Sequence, residues 1–342
     1  MVDVHTIWFG VIGLMLTVYA LLDGFDLGVG TLHLIVGRTE EERGRAIGAI
    51  GPVWNGNEVW LIASGGSLVV AFPHAYASAF SGFYLALMLV LWLLILRGVG
   101  IELRHQIDHP LWRQAWDVTF SVSSALLAVL FGVALGNVMR GVPFDANGDF
   151  QGSFALLLNP FSLLGGMLSL ILLSLHGAAY LALKTDGAMH DRARRVIGWL
   201  WWPATIGIVA IFAVSFRVRP DFPENFLRWP VLFIWPLVVV GAIAAVQIYN
   251  RKRDDLRTFV ATGTLIVGLL ASVFSGLYPR LLPALPGSAH PDLDIFNAAA
   301  PPQSLRIALA IYLVGMLIVS IYLVRIYRVW SGKVAADAGY HA

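Results

Sequence analysis

The sequence predicts an all-α, polytopic membrane protein of about nine transmembrane helices, and three observations predict it. Hydrophobic residues make up 58% of the 342 positions and charged residues only 13%. With a mean hydropathy of +0.75, this is more apolar matter than a single soluble core needs. The apolar residues also fall in repeated runs near the ~20 residues a helix needs to cross a hydrocarbon layer of about 30 Å. Finally, 17 of the 23 Lys and Arg fall on one side of a chain threaded in this way, which is the asymmetry of cytoplasmic loops.

The spans are expected at residues 7–36, 51–72, 77–101, 116–139, 153–183, 196–216, 229–249, 258–276 and 303–327. Backbone polar groups in lipid must be satisfied within the chain, which selects helices over open sheet. The first run has no Lys or Arg in Met1–His5 and holds Asp23 and Asp26, so it reads as a mature helix and not a cleaved leader. The charge bias puts the N-terminus outside and the C-terminus in the cytoplasm of a bacterial inner membrane. The expected arrangement is one integral membrane domain over 1–342, built as two four-helix bundles plus one peripheral helix. Residues 38–50 read as a hairpin connection, and 220–228 and 278–302 as outer loops.

Cysteine is absent, which excludes disulfides and thiolate metal ligation within the chain. Trp199, Trp201, Trp202, Trp229, Trp235, Tyr327 and Trp330 lie where helices leave the lipid and read as interfacial anchors.

Two polar clusters interrupt the apolar runs. In Asp23-Gly24-Phe25-Asp26-Leu27-Gly28-Val29-Gly30 the two carboxylates are three residues apart and share a helix face. Each Asp at a helix centre costs roughly 2.5 to 3.5 kcal/mol on insertion scales, so both should face the bundle interior. Gly24 and Gly28 form a small-xxx-small pair that admits another helix. In Gly51-Pro52-Val53-Trp54-Asn55-Gly56-Asn57-Glu58-Val59-Trp60, Pro52 suits a first helical turn, and Asn55 and Glu58 share a face. Asp23, Asp26, Asn55 and Glu58 are therefore proton-path candidates. Gly24, Gly28, Trp54, Asn57 and Trp60 are candidates for a subunit interface, Trp60 also for an oxygen path or ordinary packing.

Glu102, Arg104 and Asp117 read as solvated or paired helix ends, with Arg97 pairing with Glu102 or a lipid phosphate. Of nine histidines only His176 lies well inside a span, with Tyr180 at i+4 as a ready hydrogen-bond partner. It reads as a packing residue, so no haem or metal is expected on this chain. Intramembrane acids in a helical bundle also suit a proton-coupled secondary transporter, which stands as the alternative.

The stretches Asp23–Gly30 and Gly51–Leu61, with Phe72-Pro73-His74-Ala75-Tyr76-Ala77 and Phe80-Ser81-Gly82-Phe83-Tyr84-Leu85, resemble the signature of subunit II of the cytochrome bd-type quinol oxidases. Gly136-Asn137 with Gly141-Val142-Pro143-Phe144, Leu158-Asn159-Pro160-Phe161, and Gly177-Ala178-Ala179-Tyr180-Leu181 with Lys184-Thr185 agree with it. Tyr278-Pro279 and Asn297-Ala298-Ala299 resemble it more loosely, and the match is dense up to about Asp186.

The resemblance implies a non-haem subunit packed against a homologously folded, haem-bearing subunit I. That partner would carry the quinol site, two haems b and an oxygen-reducing haem of d type (or b type). The complex would oxidise quinol and reduce dioxygen to water, with the acid matching Asp23 on the route of cytoplasmic protons. Quinone and membrane lipid are the further partners implied, with room for small accessory subunits and no role for nucleic acid. One departure stands out. The family commonly has an acid directly after the Trp of the second motif, where this chain has Asn55. An amide cannot release a proton as a carboxylate does, so Glu58 beside Asp23 is the expected substitute.

Overall fold

The computed structural model describes residues 3–334. Its first helix, α1 (Val4–Val36), has 33 residues and is about 50 Å long at 1.5 Å per residue, more than a hydrocarbon layer requires. There follow α2 (Glu40–Ile50), α3 (Trp54–Ala71), α4 (Pro73–Gly82), α5 (Tyr84–Leu103), α6 (Pro110–Arg140), α7 (Phe154–Leu157) and α8 (Pro160–Lys184). The remainder is α9 (Gly187–Val218), α10 (Glu224–Arg228), a 3-10 turn (Pro230–Phe233), α11 (Ile234–Arg251), α12 (Asp255–Leu277), the short antiparallel pair β1 (Arg280–Leu282) and β2 (Leu293–Asp294), and α13 (Pro302–Val329).

Eight helices among the described residues are long and apolar enough to cross a membrane, one fewer than expected. The ninth expected span is α3, whose 18 residues include Asn55, Asn57 and Glu58, and these dilute its hydropathy. Even so, α3 lies along α1, from Asn57 beside Asp26 to Ala71 near Trp8. Beside its C-terminus Ala300 donates to the carbonyl of Ala71, and near there Trp8 Nε1 donates to Leu305 O at 3.0 Å. At the opposite end of the bundle Arg192 Nε of α9 donates to Val36 O at 2.8 Å and Lys184 Nζ of α8 to Trp330 O at 2.6 Å.

Three boundaries differ from expectation for local reasons. The helix expected over 77–101 is broken at Phe83 (φ −92°, ψ 15°) into α4 and α5. The run expected over 153–183 restarts at Pro160, where Asn159 Oδ1 accepts the Ser162 amide at 3.0 Å and Pro160 occupies the first turn. Residues 40–50, expected as a loop connection, form α2. Thr39 and Glu42 make a capping box at its start, a T-x-x-E signal the sequence does carry.

α8 is the central helix. Of its most apolar stretch 72% is buried, whereas for α13 the figure is 0%, so α13 is peripheral. Small residues let α1 and α6 close on α8. A Cβ added at Gly28 would lie 1.9 Å from Leu173 O, one at Gly177 2.3 Å from Gly28 C, and one at Gly132 2.4 Å from Gly165 O. Gly24 would likewise meet Leu173 Cδ2 at 2.9 Å. Gly24 and Gly28, expected at a subunit interface, are therefore spent on packing inside the chain. Beside this core lies a cavity of about 870 Å³ walled almost wholly by apolar side chains such as Leu16, Leu61, Phe131 and Leu270.

Replacing Gly28 with Val must push α1 off α8, and overpacking of this kind costs about 1–3 kcal/mol or more. The expected result is a lower Tm and yield, whereas Gly44→Ala, where an added Cβ meets nothing within 4 Å, leaves both unchanged. Glu42 gives a pH test. Burial pushes its carboxyl up, but Arg192 and the amides of Arg38 and Thr39 outweigh this and hold it below the usual range. A depressed folded pKa stabilises above the unfolded value and is lost as pH falls. Glu42→Gln is thus expected to lower Tm at neutral pH and to converge with the parent chain in acid.

Candidate functional site: buried acids on the first helix

Asp23 and Asp26 follow each other by one turn on α1, and both are 0% exposed. Arg97 of α5, also 0% exposed, forms a two-pronged pair with Asp23. Its Nη1 donates to Oδ2 at 2.9 Å and its Nη2 to Oδ1. The partner of Arg97 is thus Asp23 and not the expected Glu102 or lipid phosphate. Arg97 lies six residues, nearly two turns, short of the end of α5, deep enough that a buried carboxylate is its partner.

Asp26 Oδ2 accepts a hydrogen bond from Asn57 Nδ2 of α3 at 2.8 Å, and Asp26 Oδ1 has no partner among the described residues. Asn57 Oδ1 in turn accepts from Tyr327 Oη of α13 at 2.7 Å. Glu58, the residue after Asn57 on α3, is partly buried. One carboxylate of α1 is thus paired with a guanidinium, and the next is linked by an amide and a phenol to α13.

Asn55 is not brought to this cluster, because its side chain lies on the exposed face of α3. Successive helical residues are 100° apart, so Asn57, two positions on, points the other way, onto α1. The other interface candidates are also buried within the chain. Trp54 and Trp60 are each 7% exposed and Asn57 0%, and Trp60 packs with Met15 and Tyr19. Little of these side chains is left for a partner to touch. Tyr327, expected as an interfacial anchor, belongs to the site, a role that aromatic spacing alone does not reveal.

A second polar centre sits at the Lys- and Arg-rich end. Asp117, 0% exposed, accepts from Arg104 Nε at 2.6 Å and lies 2.6 Å from His33 Nε2 and 3.4 Å from Arg43 Nη1. Arg104 also reaches Glu40 at 2.9 Å. These contacts tie α1, α2, α5 and α6 into one clamp, in which each carboxylate oxygen of Asp117 has a cationic or imidazole neighbour.

A haem would need an imidazole or thioether facing a wide space. Both ring nitrogens of His176 are engaged, Nδ1 by Thr262 Oγ1 at 2.7 Å and Nε2 by Leu21 O at 3.1 Å. Its partner is therefore not Tyr180, which donates to Ala49 O at 2.9 Å. No histidine lines the apolar cavity, and His74 is engaged by Asn147 O at 3.0 Å. Neither His176 nor His74 therefore offers a free ring nitrogen over a wide space.

Removing Arg97 leaves an unpaired buried carboxylate, a loss of about 3–5 kcal/mol. Arg97→Gln is expected to abolish most of the folded protein, and Asp23→Asn/Arg97→Gln together to recover part of it, read as detergent-solubilised yield and Tm. Equal losses in the single and double variants would contradict the pairing.

Comparison with known proteins agrees with this architecture. The profile of the family described as cytochrome bd terminal oxidase subunit II matches residues 4–330. The chain is 34% identical to a probable cytochrome oxidase subunit 2 of Haemophilus influenzae, over 95% of this chain and 92% of that one. It is 31% identical to the cytochrome bd ubiquinol oxidase subunit 2 of Bacillus subtilis, over 90% of each. It is 30% identical to the cytochrome bd-I ubiquinol oxidase subunit 2 of Escherichia coli K12, over 97% and 95%. In fold it is similar to a chain of the bd oxidase from Geobacillus thermodenitrificans, with TM-score 0.78 at 16% identity, over 96% of this chain and 98% of that one. A multi-pass membrane chain that matches the family profile from α1 through α13 belongs to the cytochrome bd terminal oxidase subunit II family, and is a subunit of a respiratory oxidoreductase complex.

Proposed function

We propose that this chain is the non-haem scaffold of a quinol:dioxygen oxidoreductase and that its buried acids help deliver protons for reduction of dioxygen to water. In this reading a haem-bearing subunit I docks beside it and holds the quinol site and the haems. The Lys- and Arg-rich end faces the cytoplasm, and protons enter from there.

One observation carries the proposal. Asp23 is paired with Arg97, while Asp26, one turn on, keeps an oxygen without a partner among the described residues, and the partly buried Glu58 lies next to Asn57 on α3. A guanidinium compensates one carboxylate, and uncompensated charge is expensive in the apolar interior. Protons are the mobile counter-ions that can make up the balance, so the cluster is suited to hold and release them. Asp26, with one oxygen unpartnered, is the group best placed to exchange a proton, and Asn57 and Tyr327 orient its other oxygen. Glu58 supplies the carboxylate that Asn55 lacks. A proton-coupled transporter uses the same chemistry, but membership of an oxidase subunit family does not favour it.

The test is quinol-driven oxygen uptake by the complete complex. Asp26→Asn and Glu58→Gln are each expected to slow turnover, Asp26→Asn by about 10²-fold, the lower range for losing a proton-transfer group. Haem absorbance of the co-purified complex should be unchanged. Asn55→Ala should turn over like the parent. Parent-like turnover in both Asp26→Asn and Glu58→Gln would remove the proton-supply role.

A further inference from the structure

The cations at the basic end of the bundle are unevenly used. Around α1, α2 and α6 the guanidiniums of Arg43, Arg104, Arg113 and Arg192 each meet a carboxylate. Where α9 meets the α11–α12 turn the pattern reverses. Arg195, Arg251, Lys252 and Arg253 are all exposed, and among the described residues no ion pair reaches them.

Arg194 fixes this corner. It binds Asp255 Oδ1 and the carbonyl of Asn250, Asn250 Nδ2 donates back to Arg194 O at 3.3 Å, and His190 Nε2 lies 2.9 Å from Asp255 Oδ2. This staple uses up the Asp255 carboxylate and ties α9, at the residue before Arg195, to the turn that carries the other three cations. The turn has a conformational cost. Arg253 has φ +59°, a left-handed position at a helix end that favours glycine, yet a cation is kept there.

Below Arg195 the same face of α9 continues through Trp199, Trp202, Ile206 and Val209, which are 72%, 59%, 65% and 64% exposed. The spacing of four, three, four and three residues makes one straight stripe. Indole rings settle at the boundary between headgroups and hydrocarbon, so they mark that depth one to two turns below the cations. Free positive charge above and an indole-topped apolar stripe below complement an amphiphile with a negative head, whereas a soluble anion would use only the upper half.

The geometry points to a binding site for an anionic phospholipid, its phosphate held by Arg195, Arg251, Lys252 and Arg253 and an acyl chain lying along Trp199 and Trp202. The site is independent of the proton-supply reading.

The test uses the intact complex with its haem-bearing partner, delipidated in detergent and titrated with phosphatidylglycerol or phosphatidylcholine, with retained lipid counted by native mass spectrometry. The parent complex is expected to retain phosphatidylglycerol over phosphatidylcholine. Arg195→Gln/Arg251→Gln/Lys252→Gln/Arg253→Gly should lose that preference, at roughly fivefold per cation removed. Inorganic phosphate should not displace the lipid. Equal retention of the two lipids by the parent, an unchanged preference in the variant, or displacement by phosphate would each overturn the proposal, as would release of the haem-bearing partner by the fourfold variant. Arg253→Gly alone relieves the left-handed residue and should fold at least as well as the parent. An unchanged lipid preference in that variant would overturn the proposal too.

Discussion

A buried guanidinium and a buried carboxylate locked together constrain the rest of this bundle. Asp23 and Arg97 lie on different helices, and neither is exposed. Either alone in the apolar interior would be costly, so α1 and α5 are held at one relative depth. That depth decides what else can meet. It sets Asp26 one turn below Asp23 against Asn57, and it puts Gly28 where α8 crosses so closely that no side chain fits between them. The packing of small residues and the placement of the acids are two results of one alignment.

The Asp117 centre does complementary work at the basic end. Its contacts with His33, Arg104 and Arg43 join the ends of α1 and α5 to the starts of α2 and α6. Because this carboxylate is fully supplied with partners, it fastens helices. Asp26 has an oxygen to spare. Two buried aspartates in one chain thus have opposite characters, set by how many donors surround each.

Much of the architecture is legible in the sequence because long apolar runs admit few alternatives. The charge alternation sorts the helix ends, and the two polar motifs lead to the acids that cluster. Depth and rotation are not legible. The motif around Trp54 offers Asn55 and Asn57 on opposite faces, and nothing local says which face turns inward. The position of α1 decides it. Arg97 reads as a partner of Glu102 or a phosphate because its depth depends on where α5 stops. Tyr327 lies 270 residues from Asn57, beyond any local pattern. His176 bonds to Thr262 and Leu21 and not to its neighbour Tyr180, since packing against α12 and α1 decides which acceptors are near. The T-x-x-E at Thr39–Glu42 is present in the sequence, yet hydropathy alone makes the connection that holds α2 look like a loop.

α13 is hydrogen-bonded to the bundle near its ends and packs between them on α1 and α3 through Tyr312, Met316, Val319 and Leu323. Trp8 grips its beginning at Leu305, Tyr327 and the Lys184–Trp330 contact grip its finish, and most of the residues between are exposed. Mechanically it is a beam about 40 Å long on two supports. A load from the surrounding bilayer, such as a change in thickness that tilts the beam, reaches the supports as well as its packed face. One of those supports is the phenol that orients Asn57 toward Asp26, so the lipid-facing helix and the buried carboxylate share a fulcrum.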